Sequence, residues 1–210
     1  MIAPQALRVY LIFDPTGARL GPEEMVDAVV SGGVTALQLR WKGTTDREIV
    51  QVGRRIAPRL RQAGIPFLIN DRLDLAMAIG ADGVHLGVDD LPLDDARRLG
   101  GPDFIIGFSP ETDEQIADAS AKASYLGIGP FYATQTKLDA GEALGEREFA
   151  RRRSLTPLPV VAIGGITADT APNVMQAGAD GVAVASAILR AADPRSATRR
   201  IRVAVDGHAT

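Results

Sequence analysis

Polar groups able to do chemistry recur in this sequence directly after short apolar runs. Gln38, Arg40 and Lys42 alternate in LQLRWK, Asn70 and Asp71 close LINDR, and Asp89 and Asp90 close HLGVDD. Ser109 ends GFS, Thr134, Thr136 and Lys137 fall in GPFYATQTK, Gly164-Gly165-Ile166 follows VVAI, and Ser186 follows GVAVA. The alternation puts Gln38, Arg40 and Lys42 on one face of an extended segment. Asp71 and Asp90 suit a hard cation such as Mg²⁺, which takes one or two carboxylates and shares its remaining positions with phosphate oxygens and water. Arg40, Lys42 and Lys137 supply the charge that a metal-bound polyphosphate needs. GPFYATQTK lacks the Gly-x-x-x-x-Gly-Lys-Ser/Thr pattern of the nucleotide phosphate loop, so any anion it meets is held in some other way. The glycine pair and the helix start at Ser186 form a second cradle, of the size of a monophosphate.

Each of these residues also has a purely structural reading. Asp89 and Asp90 suit the start of a short helix, where a carboxylate accepts backbone N–H groups. Gly164-Gly165 suits a tight turn, and Ser186 an N-cap. His85 lies within an apolar run and reads as a hydrogen-bonded core histidine, while His208 falls in the terminal tail. Trp41 and Tyr132 suit either the apolar walls of a site or packing at its rim. The combination of groups, rather than any one of them, carries the functional reading.

The elements that must position these groups are legible as Val-, Ile- and Leu-rich runs at residues 7–13, 35–39, 66–69, 83–86, 103–106, 124–128, 160–163 and 181–185. Near-continuous apolar runs fit strands buried on both faces of a parallel sheet. Between them, helical spacing of apolar residues predicts helices at 23–30, 46–62, 73–79, 94–99, 112–123, 146–153, 168–177 and 187–205, the last broken at Pro194. Gly80-Ala81-Asp82-Gly83-Val84 echoes Gly178-Ala179-Asp180-Gly181-Val182, and Ser31-Gly32-Gly33-Val34-Thr35 is a weaker third copy. Each puts glycine after a helix, where a left-handed cap costs least without a Cβ. Alternating strands and helices predict right-handed βαβ units. Eight of them fit an α/β fold of the (β/α)₈ TIM-barrel class, one domain spanning 1–210, with a doubly wound open sheet as the alternative. In such a barrel the active groups belong at the C-terminal ends of the strands, where these residues sit.

Composition narrows the function classes. The chain has 210 residues, 46% of them hydrophobic, and a net charge of −3, which disfavours nucleic-acid binding by bulk electrostatics. The runs Arg151-Arg152-Arg153 and Arg199-Arg200-Ile201-Arg202 read as solvated helix faces or ends. With no cysteine, thiolate catalysis, disulfides and Cys-ligated metal are excluded. No membrane-length apolar run and no leader pattern stand out, so a cytoplasmic protein without membrane partners is expected. The sequence is compatible with a homo-oligomer.

Taken in order, LQLRWK, LINDR with GADGVHLGVDD, GFS, GPFYATQTK, VVAIGGI and GADGVAVASAI resemble the thiamine phosphate synthase family along nearly the whole chain. The resemblance implies a transferase joining 4-amino-2-methyl-5-hydroxymethylpyrimidine diphosphate to 4-methyl-5-(2-phosphoethyl)thiazole with release of pyrophosphate. It implies an SN1-like substitution with Mg²⁺ on Asp71 and Asp90. Arg40, Lys42, Asn70 and Lys137 would hold the diphosphate, and Gln38 and Ser109 would face the pyrimidine. Thr134, Thr136, Gly165 and Ser186 would hold the thiazole phosphate or line its path. Lys137, Arg40, Lys42 and Ser109 would carry catalysis.

Three positions depart from the family pattern. Trp41 stands where an acidic residue is usual, Ala133 where proline is usual, and Pro110-Glu111 where a small residue and then histidine or threonine are usual. The last bears on the nearest alternative, a thiazole tautomerase of the same family, which is expected to use a histidine at the position of Glu111. A non-catalytic phosphate-binding barrel is a further alternative, expected to lose its carboxylate pair or cationic rim first. A sugar-phosphate isomerase or epimerase would instead need a proton-transferring carboxylate or histidine pair.

Overall fold

The structure, a computed structural model, describes residues 2–133 and 142–207. A 3₁₀ turn at Pro4–Leu7 leads into β1 (Val9–Phe13), followed by α1 (Pro22–Gly32), β2 (Ala36–Leu39), α2 (Asp46–Gln62) and β3 (Phe67–Asn70). Then come α3 (Leu73–Ile79), β4 (Gly83–Leu86), α4 (Leu93–Gly100), β5 (Ile105–Phe108), α5 (Asp113–Ala119) and β6 (Tyr125–Ile128). The chain continues through α6 (Gly145–Arg153), β7 (Val160–Ile163), α7 (Ala171–Gln176), β8 (Gly181–Val184), α8 (Ser186–Leu189) and α9 (Pro194–Asp206). Each strand pairs in parallel with the next, and β8 pairs with β1 to close a TIM barrel. The open-sheet alternative falls, because an open sheet would leave β1 and β8 unpaired with each other.

The side-chain period of two divides the core into two shells. On β1, Tyr10 and Ile12 point into the barrel with Ala36, Leu68, Tyr125, Val161 and Ala183. Val9, Leu11 and Phe13 point outward and pack with Leu37, Leu39 and the helix faces. Helix starts are set locally: Thr45 and Glu48 form a reciprocal capping box on α2, as Thr112 and Gln115 do on α5. Hydrogen bonds from Thr44 and Thr45 hold the exposed Glu48 carboxyl down at about 2. The repeated glycines do what the echo predicts: Gly33, Gly80 and Gly178 all have positive φ, at 95°, 75° and 97°.

Boundaries differ where a residue answers to the tertiary structure. The expected strand at 103–106 lies two residues later, at Ile105–Phe108, because Phe104 packs against Gly100 and its carbonyl is taken by Arg97. The helix expected to run to 123 stops at Ala119, where the Ser120 hydroxyl turns to the Ile116 carbonyl and to Thr156. The break at Pro194 is present, with Pro194 in the first turn of α9 and Asp193 as its N-cap. The triple arginine ends α6, where Arg151 pairs with Asp113 and Glu148, Arg152 with Glu148 and Arg153 with Asp180. Among the described residues, no helix is long and apolar enough to cross a membrane.

Closure of the barrel makes a testable demand at Gly181. A Cβ there would collide with the Leu7 carbonyl, which belongs to the chain entering β1. Gly181→Ala is therefore expected to destabilise the fold by about 1–3 kcal/mol, the cost of overpacking a filled site. Denaturant unfolding reads this as a lowered midpoint, and an unchanged midpoint would contradict the β1–β8 seam.

Candidate active site

The C-terminal ends of the strands form one mouth, and β2 to β4 furnish its charged side. Arg40 follows β2, with its amide donating to the Phe13 carbonyl at 2.8 Å, and is half-buried. Lys42 lies beyond it, exposed, with Nζ 3.4 Å from Asp71 Oδ2. Asp71 directly follows β3 in a left-handed conformation, φ 62°, while its amide donates to the His85 carbonyl at the end of β4. That conformation costs an L-residue roughly 1–2 kcal/mol, and such strain is usually held where it serves a site. The Asp71 carboxylate lies between Lys42 and Asp90.

Asp90 comes from the turn after β4 and accepts the Gly87 amide at 2.6 Å. This decides between the two readings of the Asp89-Asp90 pair. The N-cap of α4 is Pro92, with no side-chain cap, so neither aspartate caps that helix. Burial pushes the Asp90 carboxyl above its ordinary value; the Gly87 amide opposes the shift, and the neighbouring Asp71 carboxylate reinforces it. Asp89 is exposed.

A carboxylate disfavoured by burial and by a neighbouring carboxylate, as Asp90 is, gains from a cation beside it. Hard oxygen donors fit Mg²⁺. Among the described residues no group of three or more His, Cys, Asp or Glu could hold a metal, so the rest of a shell would fall to phosphate oxygens and water. The residues present fit that ion.

The opposite side is built by β7, β8 and β1. A cavity of about 410 Å³ is lined by Gly164–Thr167, the Ala183–Ala187 stretch, Ile12, Arg40, Ile163 and Arg190. Gly164 and Gly165 have φ of 102° and 66°, and a Cβ on either would strike Pro130, Tyr132 or the Ala133 carbonyl. Glycine is required both for the turn and for close approach of the strand-six segment. Ser186 is the first residue of α8 and makes no side-chain cap, so the N-cap reading of it falls. Arg40 lines this cavity as well as following β2, which places it between the two sides.

Phe131 N–H donates to the Ile163 carbonyl at 2.8 Å, and Tyr132 N–H to the Gly164 carbonyl at 3.1 Å. The chain therefore enters the GPFYATQTK stretch against the glycine pair. Thr134, Thr136 and Lys137 themselves lie outside the described residues, as does His208. Trp41 is half-buried and donates from Nε1 to Thr16 Oγ1 at 2.9 Å, tying the β2 end to the β1 loop. The Glu111 side chain is exposed, and its amide joins the α5 cap through Gln115.

Inside the mouth, Gln38 and Ser109 mark the two ends of a buried chain of polar groups. Gln38 Nε2 donates to the Tyr10 hydroxyl at 2.9 Å, Tyr10 and Tyr125 share a hydrogen bond of 2.8 Å, and His85 bonds Tyr125 through Nδ1 and Ser109 through Nε2. His85 is thus the hydrogen-bonded core histidine its surroundings predict. Tyr10 and Tyr125, read from sequence only as members of apolar runs, were missed as polar groups. Ile12, Ile163, Thr167 and Arg190 were missed too. Ile163 is 36% exposed at the end of a strand otherwise buried, a signal that only appears once the strand's end is known. Arg190 stands four residues after Ser186, one helical turn on.

The thiamine monophosphate synthase family pattern matches residues 9–188. A thiamine-phosphate synthase of Natronomonas pharaonis is 47% identical over 97% of both chains. One of Moorella thermoacetica is 46% identical over 87% of both. Among solved structures, a thiamine phosphate pyrophosphorylase from Pyrococcus furiosus superposes with a TM-score of 0.89 at 35% identity, covering 99% of both chains. A 3-hexulose-6-phosphate synthase, at TM-score 0.71 and 17% identity over 94% of this chain and 99% of its own, shares the fold alone.

Proposed function

The chain belongs to the thiamine monophosphate synthase family, and on that premise we propose how its residues make thiamine phosphate. The substrates in this reading are 4-amino-2-methyl-5-hydroxymethylpyrimidine diphosphate and 4-methyl-5-(2-phosphoethyl)thiazole. The observation that carries it is one mouth with two unlike sides, a carboxylate–lysine side at Asp71, Asp90 and Lys42 and a glycine-lined cavity at Gly164–Ser186, with Arg40 between them.

The bond broken joins the pyrimidine methylene carbon to the diphosphate, whose oxygen takes the electron pair. The bond formed joins that carbon to the thiazole nitrogen, which attacks as a neutral lone pair. No proton is lost, so no general base is required. Negative charge grows on the leaving diphosphate, and Arg40, Lys42 and Lys137 stabilise it, with Asn70 as a polar partner. Asp71 and Asp90 would hold Mg²⁺, which supplies further charge neutralisation on phosphate oxygens when bound. Gln38 and Ser109 hold the pyrimidine ring. Gly165, Ser186, Thr134 and Thr136 hold the thiazole phosphate, and Ile12 and Ile163 keep water from the reactive methylene.

The test is product formation by the pure protein with both substrates and Mg²⁺, each omitted in turn. Thiamine phosphate and pyrophosphate should form in equal amounts only in the complete mixture. Absence of product there would remove the assignment.

A further inference from the structure

A chain of polar side chains runs beneath the mouth from Gln38 to Ser109. Tyr10 on β1 and Tyr125 on β6 are fully enclosed, 1% and 0% exposed, and Gln38 is 2% exposed. His85, Gly107 and Tyr125 stand in one row across β4, β5 and β6. A Cβ at Gly107 would collide with the Tyr125 hydroxyl and with His85 Nδ1. A Cβ at Gly127 would press on His85 and on Ser109 Oγ, at 3.1 and 3.2 Å. Two strand glycines therefore leave the space through which the chain of hydrogen bonds passes.

Proton counting then fixes how the ends behave. Burial raises the proton affinity of both phenols far above neutral pH, so each keeps its single O–H. With its imidazole neutral, His85 carries one ring proton. Four hydrogen bonds link Gln38, Tyr10, Tyr125, His85 and Ser109, and the three inner groups supply three protons. One end must supply the fourth, and only one can, or two protons would meet in a single link. As Gln38 donates inward, Tyr10 gives to Tyr125, Tyr125 to His85 Nδ1, and His85 Nε2–H to Ser109. The Ser109 proton is then left pointing to the mouth, and the Gln38 carbonyl oxygen has no inward donor to accept. The two ends hold opposite senses as a matter of count.

We propose that Tyr10, Tyr125 and His85 are positioning residues that couple Gln38 and Ser109, so that the mouth offers one acceptor and one donor to the bound ring. A ring with an exocyclic amine to give and a ring nitrogen to receive fits that pair, and a ring without the amine does not. This rests on the pyrimidine occupying the space between Gln38 and Ser109, as the proposed function requires. Breaking the chain at any inner link frees the two ends to take their senses independently.

The experiment compares two ligands by calorimetry, 4-amino-2-methyl-5-hydroxymethylpyrimidine diphosphate and its analogue with hydrogen in place of the amine. The wild-type chain should prefer the amine by about tenfold or more. Tyr125→Phe and Tyr10→Phe each keep the ring and remove one link, and each should reduce that preference to within about twofold. The double variant should be no worse than either single one, since one break already uncouples the ends. The affinity for the thiazole phosphate should not move. Two Phe defects that multiply, a preference retained in both variants, or no preference in the wild type would overturn the coupling. Wild-type turnover, measured alongside, reports separately on the function.

Discussion

Lys137→Ala is expected to lower kcat by roughly 100- to 1,000-fold, the loss seen when one preorganised donor to a developing negative charge is removed. The proposed substitution has no proton to transfer, so its barrier is expected to be dominated by charge gathering on the departing diphosphate. Lys42 is already 3.4 Å from Asp71 and shares its charge with that carboxylate. Arg40 sits between the two anion sides and lines the glycine cavity. Lys137, as a third cation at the leaving group, is therefore expected to have the larger share of the work. Lys137 lies outside the described residues, but Phe131 and Tyr132, six and five residues earlier in that stretch, bring the chain to the glycine pair. Thr134→Ala and Thr136→Ala should differ in kind, raising KM for the thiazole phosphate with kcat largely kept. Steady-state kinetics with each substrate varied separates the two patterns. An unchanged kcat in Lys137→Ala would remove that lysine from the mechanism.

Asp90→Asn should raise the Mg²⁺ requirement by at least the amount that loss of an outer-shell partner gives, roughly 10- to 100-fold. The same substitution should not lower the thermal midpoint of the metal-free protein. Asparagine keeps an oxygen for the Gly87 amide, now held at 2.6 Å, and removes a charge that burial and Asp71 both oppose. A residue kept for packing would show the reverse, a lowered midpoint with an unaltered metal titration. Activity against Mg²⁺ concentration, beside a thermal scan in chelator, reads both quantities. An unaltered titration would contradict the metal assignment of the pair.

The strands were legible because a parallel barrel buries both faces, which writes near-continuous apolar runs into the sequence. The charged rim was legible for a related reason: polar groups at strand ends interrupt those runs. Gly107 shows where this reading stops. After an apolar run, Gly-Phe-Ser looks like the start of a loop, yet Gly107 is mid-strand because His85 and Tyr125 need its missing side chain. Tyr10 and Tyr125 meet across 115 positions of sequence, so no local pattern announces their hydrogen bond. The backbone of Asp71 is a similar case, since nothing in LINDR prescribes a φ of 62°. Asp90 shows the opposite lesson. Its residue type suggested either a helix cap or a metal ligand, and the proline N-cap of α4 removes the first, while the carboxylate holds the Gly87 amide in the turn after β4.

One barrel mouth is expected to hold a diphosphate and a monophosphate on two different sides. A crystal structure of the protein with thiamine phosphate, pyrophosphate and Mg²⁺ tests it most directly. The account predicts pyrophosphate and metal against Asp71, Asp90, Lys42 and Lys137, with the product's phosphate against Gly165 and Ser186 and its pyrimidine between Gln38 and Ser109. Both phosphate groups on a single side, or a metal that touches neither aspartate, would contradict it.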